Sequence, residues 1–395
     1  MRLVLALGER DADSLDSYHG PPAWQAEARQ RHAALAEVQR DARALADTLA
    51  ARTFARDDDE VRRAFLVRQL RAVVARIDIL GGARPSFTDE ARRLFGFDAE
   101  SSAHSDADDV TVRTIHAAVD RELPGRGDTA ARVAAFERNF LIPATRLPAV
   151  IARAIDGCRA ATRAHVDLPP TTRVDVTYVR DLPWSAFTRY EGRFRSTIRI
   201  NAGLPLTVDR ALDLACHEAY PGHHTIGSLL EMKSGARIEL LVQATFSPQS
   251  LLHEGASAVA GALAFAEPER VAFERDVLFP LAGLNPADAE RHVRVARLMD
   301  GLHGVEAEIV HRYLDGALDF PRASLALERD ALMPSAEATL KFVNRFRTYA
   351  ATYTIGRDLF WHRLSAATNG DEVDGRWRAY VALVTNPAQA LPSGR

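Results

Sequence analysis

Three histidines and a glutamate stand within eight consecutive positions of this chain, in the segment His217-Glu218-Ala-Tyr-Pro-Gly-His223-His224. In the H-E-x-x-H arrangement of zinc hydrolases, two imidazoles one helical turn apart bind the metal, and the glutamate beside the first histidine deprotonates the attacking water. Here proline stands where the second histidine would be. On a regular helix, His223 would lie about 240° around the axis from His217, and His224 would lie roughly 10 Å along it. Neither could share one metal ion with His217 unless the helix is distorted.

The Pro221-Gly222 pair offers such a distortion. Proline removes a backbone N–H and clashes with the preceding turn, while glycine relaxes the backbone, so a bulge can absorb additional residues there. Two absorbed residues would bring His223 into the position of the second ligand. We therefore predict that His217 and His223 bind the metal and that His224 orients or binds the substrate, although the sequence leaves open which of the two is the ligand. An unbroken helix from 217 to 224 would contradict this prediction.

The motif resembles that of the bacterial DUF885 proteins, a family placed among zincin-like metallopeptidases whose signature reads roughly H-E-x-x-P-G-H-H. That family carries a downstream Glu-Gly-Trp-Ala segment, and this chain has Glu254-Gly-Ala in the same order without the tryptophan. A family segment ending in Tyr-x-Ile-Gly is matched at residues 353–356, without the preceding Pro-Gly-Gln, and residues 13–22 also resemble the family. The resemblance implies a largely helical metallopeptidase fold in which His217, His223 and Glu254 hold one zinc ion.

The surroundings of Glu254 favour the same role. This glutamate stands in the apolar stretch 251–265, where an unpaired carboxylate would be costly, so it is expected to have a partner. Glu231 and Glu239 are acidic alternatives, but each stands near a predicted turn and is interpreted as solvated charge.

The residues around this site are predicted to have separate catalytic roles. Three protein ligands leave one position at zinc for water, whose pKa the metal lowers from about 15.7 towards roughly 7. We predict that Glu218 is the general base that accepts the water's proton and returns it to the leaving amine. By resemblance, Tyr353 is the first candidate to donate to the oxyanion, and Tyr349 and Arg357 on nearby turns are alternatives that would contact the substrate.

The elements that position these residues are predicted to be mostly helical. Apolar residues recur at helical spacing through the first 165 residues, which we predict to be all helical. The pattern indicates two long helices between 22 and 80, broken near 57–59, and further helices at 88–95, 109–121 and 129–165. Alternating apolar residues at 174–178 and 198–200 indicate short strands, and helices return after Thr207. We predict a mainly α fold with a small antiparallel β element before the metal-binding helix, and a soft boundary between regions 1–168 and 169–395.

The predicted strand near residue 200 is a candidate substrate-binding element. Residues 197–201 are predicted to form an edge strand that pairs with an extended peptide, because β-addition needs only exposed backbone groups. Arg199 and Asn201 on this strand are therefore candidate substrate-binding residues.

Composition excludes several classes of partner. The chain has 50 Lys+Arg against 53 Asp+Glu and a net charge of -3, so it lacks the positive field that steers proteins to nucleic acid or anionic membranes. We find no signal-peptide core and no stretch long enough to span a membrane. The two cysteines, Cys158 and Cys216, are far apart and in no finger-like spacing, so a disulfide is not expected and Cys216 is interpreted as a core residue. These features predict a cytoplasmic protein and leave its oligomeric state open.

The leading prediction is a zinc-dependent metallopeptidase that hydrolyses short peptides. A zinc hydrolase of non-peptide amides or esters would share every catalytic residue and differ only in pocket lining. A catalytically silent helical binding protein that keeps the metal site as a structural clip is the alternative from another class. Glu218 beside His217 favours an enzyme, because a structural zinc site needs no general base.

Overall fold

The computed structural model describes residues 1–97, 109–235, 237–368 and 373–390. It is 67% helical with only small sheets, which confirms the predicted mainly α fold. No helix in these described ranges is long and apolar enough to cross a membrane. The α-helices are α1 Arg2–Gly8, α2 Pro22–Arg31, α3 Leu35–Ala50, α4 Asp57–Leu80, α5 Phe87–Phe95, α6 Asp109–Glu122, α7 Thr129–Arg138, α8 Leu147–Arg163, α9 Val208–Glu218, α10 His223–Ser234, α11 Pro248–Ala258, α12 Ala260–Ala264, α13 Glu267–Phe273, α14 Phe279–Ala282, α15 Ala289–Asp300, α16 His303–Leu314, α17 Phe320–Arg329, α18 Ala336–Phe346, α19 Ile355–Ala366, α20 Val373–Thr385 and α21 Pro387–Ala390.

The helices of the N-terminal part agree with the predicted pattern in type but not in number. The stretch 22–80 forms three helices, α2 to α4, instead of two. Helix α4 begins at Asp57, and four acidic residues in its first turn stabilise that end through the helix dipole. The predicted break near 57–59 is therefore the beginning of a helix. The largest hydrophobic core includes residues from both predicted regions, such as Val150 and Leu212, and the boundary near 168 remains a prediction.

Five strands form two sheets in the described ranges. They are β1 Leu15–Tyr18, β2 Arg173–Val179, β3 Ala186–Gly192, β4 Arg195–Asn201 and β5 Val242–Ala244. In the larger sheet, β4 is central, pairing parallel with β2 and antiparallel with β3. This sheet is mixed, so the prediction of an antiparallel element was only partly right. Strand β3 was not predicted, because its buried positions include Thr188 and Tyr190 and its sequence therefore lacks an apolar alternation.

The expectation that the first 165 residues are all helical was wrong, because β1 pairs antiparallel with β5. The register of this pair shifts between Leu15 and Ser17. Asp16 is therefore the additional residue of a β-bulge, a feature that re-aims side chains and is common beside active sites.

Helix α9 carries the first half of the histidine motif and is anchored along its length. Its apolar positions recur at helical spacing and are almost fully buried, namely Val208, Ala211, Leu212 and Ala215. On its polar face, Asp213 forms an ion pair of 2.7 Å with Arg270, and Asp209 lies 3.4 Å from the buried ring of His292. These contacts leave little freedom to the helix end that presents His217.

A disulfide between Cys158 and Cys216 joins α8 to α9. The expectation that no disulfide forms was therefore wrong. The two cysteines are 58 residues apart in sequence, but α8 packs against α9 and brings their Cα atoms to 5.4 Å, within the range that a disulfide spans. Because Cys216 precedes His217, this bond ties the segment of the histidine motif to the core.

Replacing both Cys158 and Cys216 with alanine should lower the free energy of unfolding by about 2–4 kcal/mol, because the cross-link restricts the unfolded chain. Denaturant unfolding of the wild-type and variant proteins, both freed of metal by a chelator, measures the difference in the free energy of unfolding. Reductant should bring the wild type close to the variant, while a wild type indifferent to reductant would contradict this role of the bond.

Candidate metal centre

The histidine motif lies on two helices with a break between them. Helix α9 ends at Glu218 and α10 begins at His223. In the break, the Gly222 amide donates to the Cys216 carbonyl at 3.0 Å. A Cβ at position 222 would lie 1.8 Å from the His217 carbonyl oxygen, so only glycine fits. The predicted interruption is present, as a complete break and not as a bulge within one helix.

This break brings together His217, His223 and Glu254, whose ligand atoms all lie within 4.8 Å of one another. The Nε2 atoms of the two histidines are 3.2 Å apart. The Glu254 carboxylate, presented by α11, has Oε1 3.3 Å from His223 Nε2 and Oε2 3.4 Å from His217 Nε2. No other such group of His, Cys, Asp or Glu occurs in the described parts of the chain.

The triad fits a zinc ion in its spacing and its chemistry. Zinc bonds of about 2.0–2.1 Å in a tetrahedral site imply ligand separations of about 3.3–3.4 Å, close to the 3.2 Å between the two Nε2 atoms. Each carboxylate oxygen of Glu254 approaches a different histidine, and with one ligand atom per residue the set lies within 4.8 Å. Glu254 Oε2 is buried and accepts no hydrogen bond from any described residue. Such an orphaned buried oxygen is costly unless a cation binds it.

The charges of the three side chains are strongly coupled. Burial alone would lower the pKa of His223, but the carboxylates around it, Glu254 above all, raise that pKa to about 9. Burial alone would raise the pKa of Glu254, but the two histidines hold it well below its usual value. His223 and Glu254 thus stabilise each other's charged forms, and a zinc ion would displace the proton of His223 because a ligating histidine must be neutral.

Glu218 is held beside the triad by the neighbouring sheet. Its carboxylate is buried, and the Thr188 hydroxyl of β3 lies 2.6 Å from its Oε2. This hydrogen bond leaves the other oxygen, Oε1, as an acceptor for a proton. Thr188 could not be identified from the sequence, because the pairing of β3 and its approach to α9 are tertiary features.

Two tyrosines approach the triad from the C-terminal part of the chain. The Tyr349 hydroxyl donates to Glu254 Oε1 at 2.8 Å, and the Tyr353 ring stacks on His217 with centroids 5.8 Å apart. Burial, with the charge of Glu254, raises the pKa of Tyr353 well above its usual value. Tyr353 therefore keeps its proton at neutral pH and can donate a hydrogen bond. Tyr349, predicted to contact substrate, instead orients Glu254.

Replacing Tyr349 with phenylalanine should weaken zinc binding about 10- to 100-fold, because partners that orient a metal ligand contribute on that scale. Competition with a calibrated chelator measures this affinity. Tyr313→Phe is a matched control, since its hydroxyl bonds Asn344 at the surface. Equal zinc affinity in Tyr349→Phe and wild type would show that the hydroxyl does not support the ligand.

The predicted substrate contact of His224 is contradicted by its burial. Its side chain is fully buried, with Nδ1 2.7 Å from the Ser196 hydroxyl and Nε2 2.8 Å from the Thr172 hydroxyl. Burial lowers the pKa of His224 to about 3. This neutral ring joins α10 to the sheet region and has no nitrogen left for a substrate.

The predicted edge strand 197–201 was also wrong, because β4 is hydrogen-bonded on both sides and cannot pair with a peptide. The Asn201 side-chain amide donates to the carbonyls of Leu182 and Trp184 and supports a turn. Arg199 lies over the Trp184 ring, 5.3 Å from its centroid. Neither residue is in position to bind substrate through a strand edge.

Arg357 is engaged elsewhere as well. Its guanidinium forms two hydrogen bonds of 2.5 and 2.6 Å with Asp300 on α15. The predicted substrate contact of Arg357 is therefore replaced by a structural ion pair that fastens α19 to α15.

Asp16 is a residue near the triad that the sequence did not identify. Burial, with the charges of Glu254 and Glu218, raises the pKa of its carboxyl to about 7 against the opposing charge of His223. Strand β1 pairs with β5, which precedes the helix of Glu254, and packs against β3, whose Thr188 bonds Glu218. The β1 bulge therefore lies beside the candidate metal site. The likeness of residues 13–22 to the DUF885 family was the only signal in the sequence that could have drawn attention to it.

Comparison with known proteins finds similarity only in fold. No protein-family profile and no curated protein matches the chain. A Colwellia psychrerythraea protein, provisionally described as a lipoprotein, matches with a TM-score of 0.52 and 13% identity over 90% of this chain and 69% of its own. A Shewanella oneidensis protein, provisionally described as a lipoprotein of unknown function, matches with a TM-score of 0.51 and 13% identity over 93% and 75%. At this identity, the likeness concerns the fold and carries no function.

Proposed function

We propose that this protein is a zinc-dependent metallopeptidase of short peptides and a divergent member of the DUF885 family. The observation that carries the proposal is the convergence of His217, His223 and Glu254, whose ligand atoms lie within 4.8 Å of one another. The carboxylate of Glu218 beside them distinguishes a catalytic from a structural site. The resemblance of the motif to the family, described above, supports the same assignment.

Each residue of the centre has a distinct role in this proposal. His217, His223 and Glu254 hold the zinc ion, which supplies Lewis acidity and a water nucleophile at neutral pH. Glu218 Oε1 accepts the proton of the nucleophile and delivers it to the departing amine, while Thr188 fixes the orientation of the carboxylate. The protonated hydroxyl of Tyr353 donates to the oxygen that gains charge as the carbonyl is attacked.

The depth of the site favours short or unfolded substrates. The side chains of His217 and His223 are 15% exposed, and that of Glu254 is 7% exposed. Ligands this recessed favour an extended peptide segment over the surface of a folded protein.

Incubating the zinc-loaded protein with a mixed-sequence peptide pool and following products by mass spectrometry tests the proposal. We expect cleavage that a chelator stops and zinc restores. Hydrolysis of non-peptide amides or esters without peptide cleavage would overturn the peptide assignment. Bound zinc with no hydrolysis of either class would indicate a structural metal site and overturn the enzymatic role.

We also propose that the protein works in an oxidising compartment, although its composition predicted a cytoplasmic one. The Cys158–Cys216 disulfide supports this, because disulfides persist mainly outside the reducing cytoplasm. The two proteins that share its fold are provisionally described as lipoproteins, which agrees with the proposal. Fractionation of native cells, with antibody detection, would contradict it by finding the protein in the cytoplasm with free thiols.

A further inference from the structure

Three aspartates in the N-terminal segment have different surroundings. Asp11 forms an ion pair with Arg76 at 2.7 Å, and Asp13 forms one with Arg345 at 2.9 Å. Asp16 is half-buried and forms no hydrogen bond or ion pair that the described ranges show. The three residues belong to one short stretch, but only Asp16 has an unpaired carboxylate.

The β-bulge removes Asp16 from the pairing between β1 and β5. Its neighbours Leu15 and Ser17 keep their pairing with β5, and Asp16 is the residue that the ladder omits. Strand β1 lies between β5, which precedes the helix of Glu254, and β3, whose Thr188 bonds Glu218. The charges of His223, Glu254 and Glu218 accordingly act on the Asp16 carboxyl group. It does not belong to the ligand group, whose members are the three residues of the triad alone in the described chain.

A third carboxylate beside this centre is unfavourable unless a cation accompanies it, since like charges repel strongly where water is scarce. In the proposed mechanism, the zinc ion neutralises Glu254, and the proton taken from the nucleophile neutralises Glu218. Arg189 on β3 is the cation whose charge reaches Asp16, but the two form no ion pair. A positively charged group of the substrate would supply the counter-charge that Asp16 lacks in the described ranges.

We propose that Asp16 binds the free α-ammonium group of the peptide substrate and makes the enzyme an exopeptidase that acts at the N-terminus. An ammonium group offers three donors, and a carboxylate is its strongest acceptor. A peptide anchored there presents a bond close to its N-terminus to the zinc site. This inference rests on the proposed function, because it assigns a subsite of the same centre.

Two metal-binding probes test the inference without requiring turnover. Leucine hydroxamate has a free amine, and N-acetyl-leucine hydroxamate lacks its charge but keeps the same metal-binding group. By calorimetry on the zinc-loaded wild type, we expect the first to bind about 10- to 100-fold more tightly, the range of a charge-assisted hydrogen bond. In Asp16→Asn this preference should fall to near unity, with the affinity for the acetylated probe unchanged.

Asp13→Asn is the matched control, because it removes the same charge from the same segment at the Arg345 surface pair. It should keep the wild-type preference. Peptides with free and acetylated N-termini should show the same pattern in kcat/KM, mainly through KM.

The possible outcomes separate this inference from the proposed function. Equal binding of both probes by the wild type would overturn the Asp16 assignment and leave the metallopeptidase proposal in place. Equal weakening of both probes in Asp16→Asn would also overturn it, because that pattern indicates a general disturbance of the site. A preference for the free amine that depends on Asp16, without peptide cleavage, would support amine recognition and contradict the peptidase. A wild type that binds no zinc would overturn both.

Discussion

Glu218→Gln should abolish peptide hydrolysis and leave one zinc ion bound per chain. Glutamine has the shape of glutamate and can still bond Thr188, but it cannot accept the proton of the nucleophile. General acid–base catalysis contributes about 10²- to 10⁴-fold, so kcat should fall by about that factor with little change in KM. Initial rates and metal content of the same preparations measure the two effects.

Glu239→Gln is the control for this substitution. Glu239 is a partly buried glutamate that forms an ion pair with Arg62 at 2.7 Å and has no role in the proposed metal centre. Its replacement should leave kcat unchanged. Full activity in Glu218→Gln would remove Glu218 from the role of general base. Loss of zinc in that variant would show instead that the glutamate supports metal binding.

His223→Ala and Glu254→Ala should each lose zinc. Removing one of three protein ligands should weaken zinc binding by more than the roughly 100-fold cost of losing a residue that only orients a ligand. Elemental analysis after dialysis against a weak chelator measures the remaining zinc, and we expect much less than one ion per chain in both variants.

His224→Gln is the control that distinguishes the two adjacent histidines. It keeps a polar side chain near Ser196 and Thr172 and should retain zinc, although the protein should be less stable because a buried hydrogen-bonded ring is lost. Zinc loss in His224→Gln with retention in His223→Ala would reverse the assignment of the second ligand.

The approach of His217 to His223 was the most predictable feature of the candidate site, because it depends on local chemistry. The Pro221-Gly222 pair disfavours a helix interior. The resulting break between Glu218 and His223 determines how His217 and His223 face each other. Glu254 followed from an apolar context in which a carboxylate needs a partner, together with the family resemblance. The helical content was equally local, since the spacing of apolar residues determines it.

The remaining errors concern contacts between distant segments. Residues 197–201 alternate like any half-buried strand, and the pattern cannot tell that β3 covers one side and β2 the other. His224 stands next to a ligand in sequence, but the beginning of α10 turns its ring towards the sheet. The cysteines gave no sign of pairing because the packing of α8 against α9 depends on the whole core.

Crystals of the protein grown with zinc, measured at the zinc absorption edge, would test the central claim most directly. We predict one anomalous peak per chain, about 2.0–2.2 Å from His217 Nε2, His223 Nε2 and a Glu254 oxygen. No peak between these residues, or a peak whose ligands include His224 and exclude His223, would contradict the account.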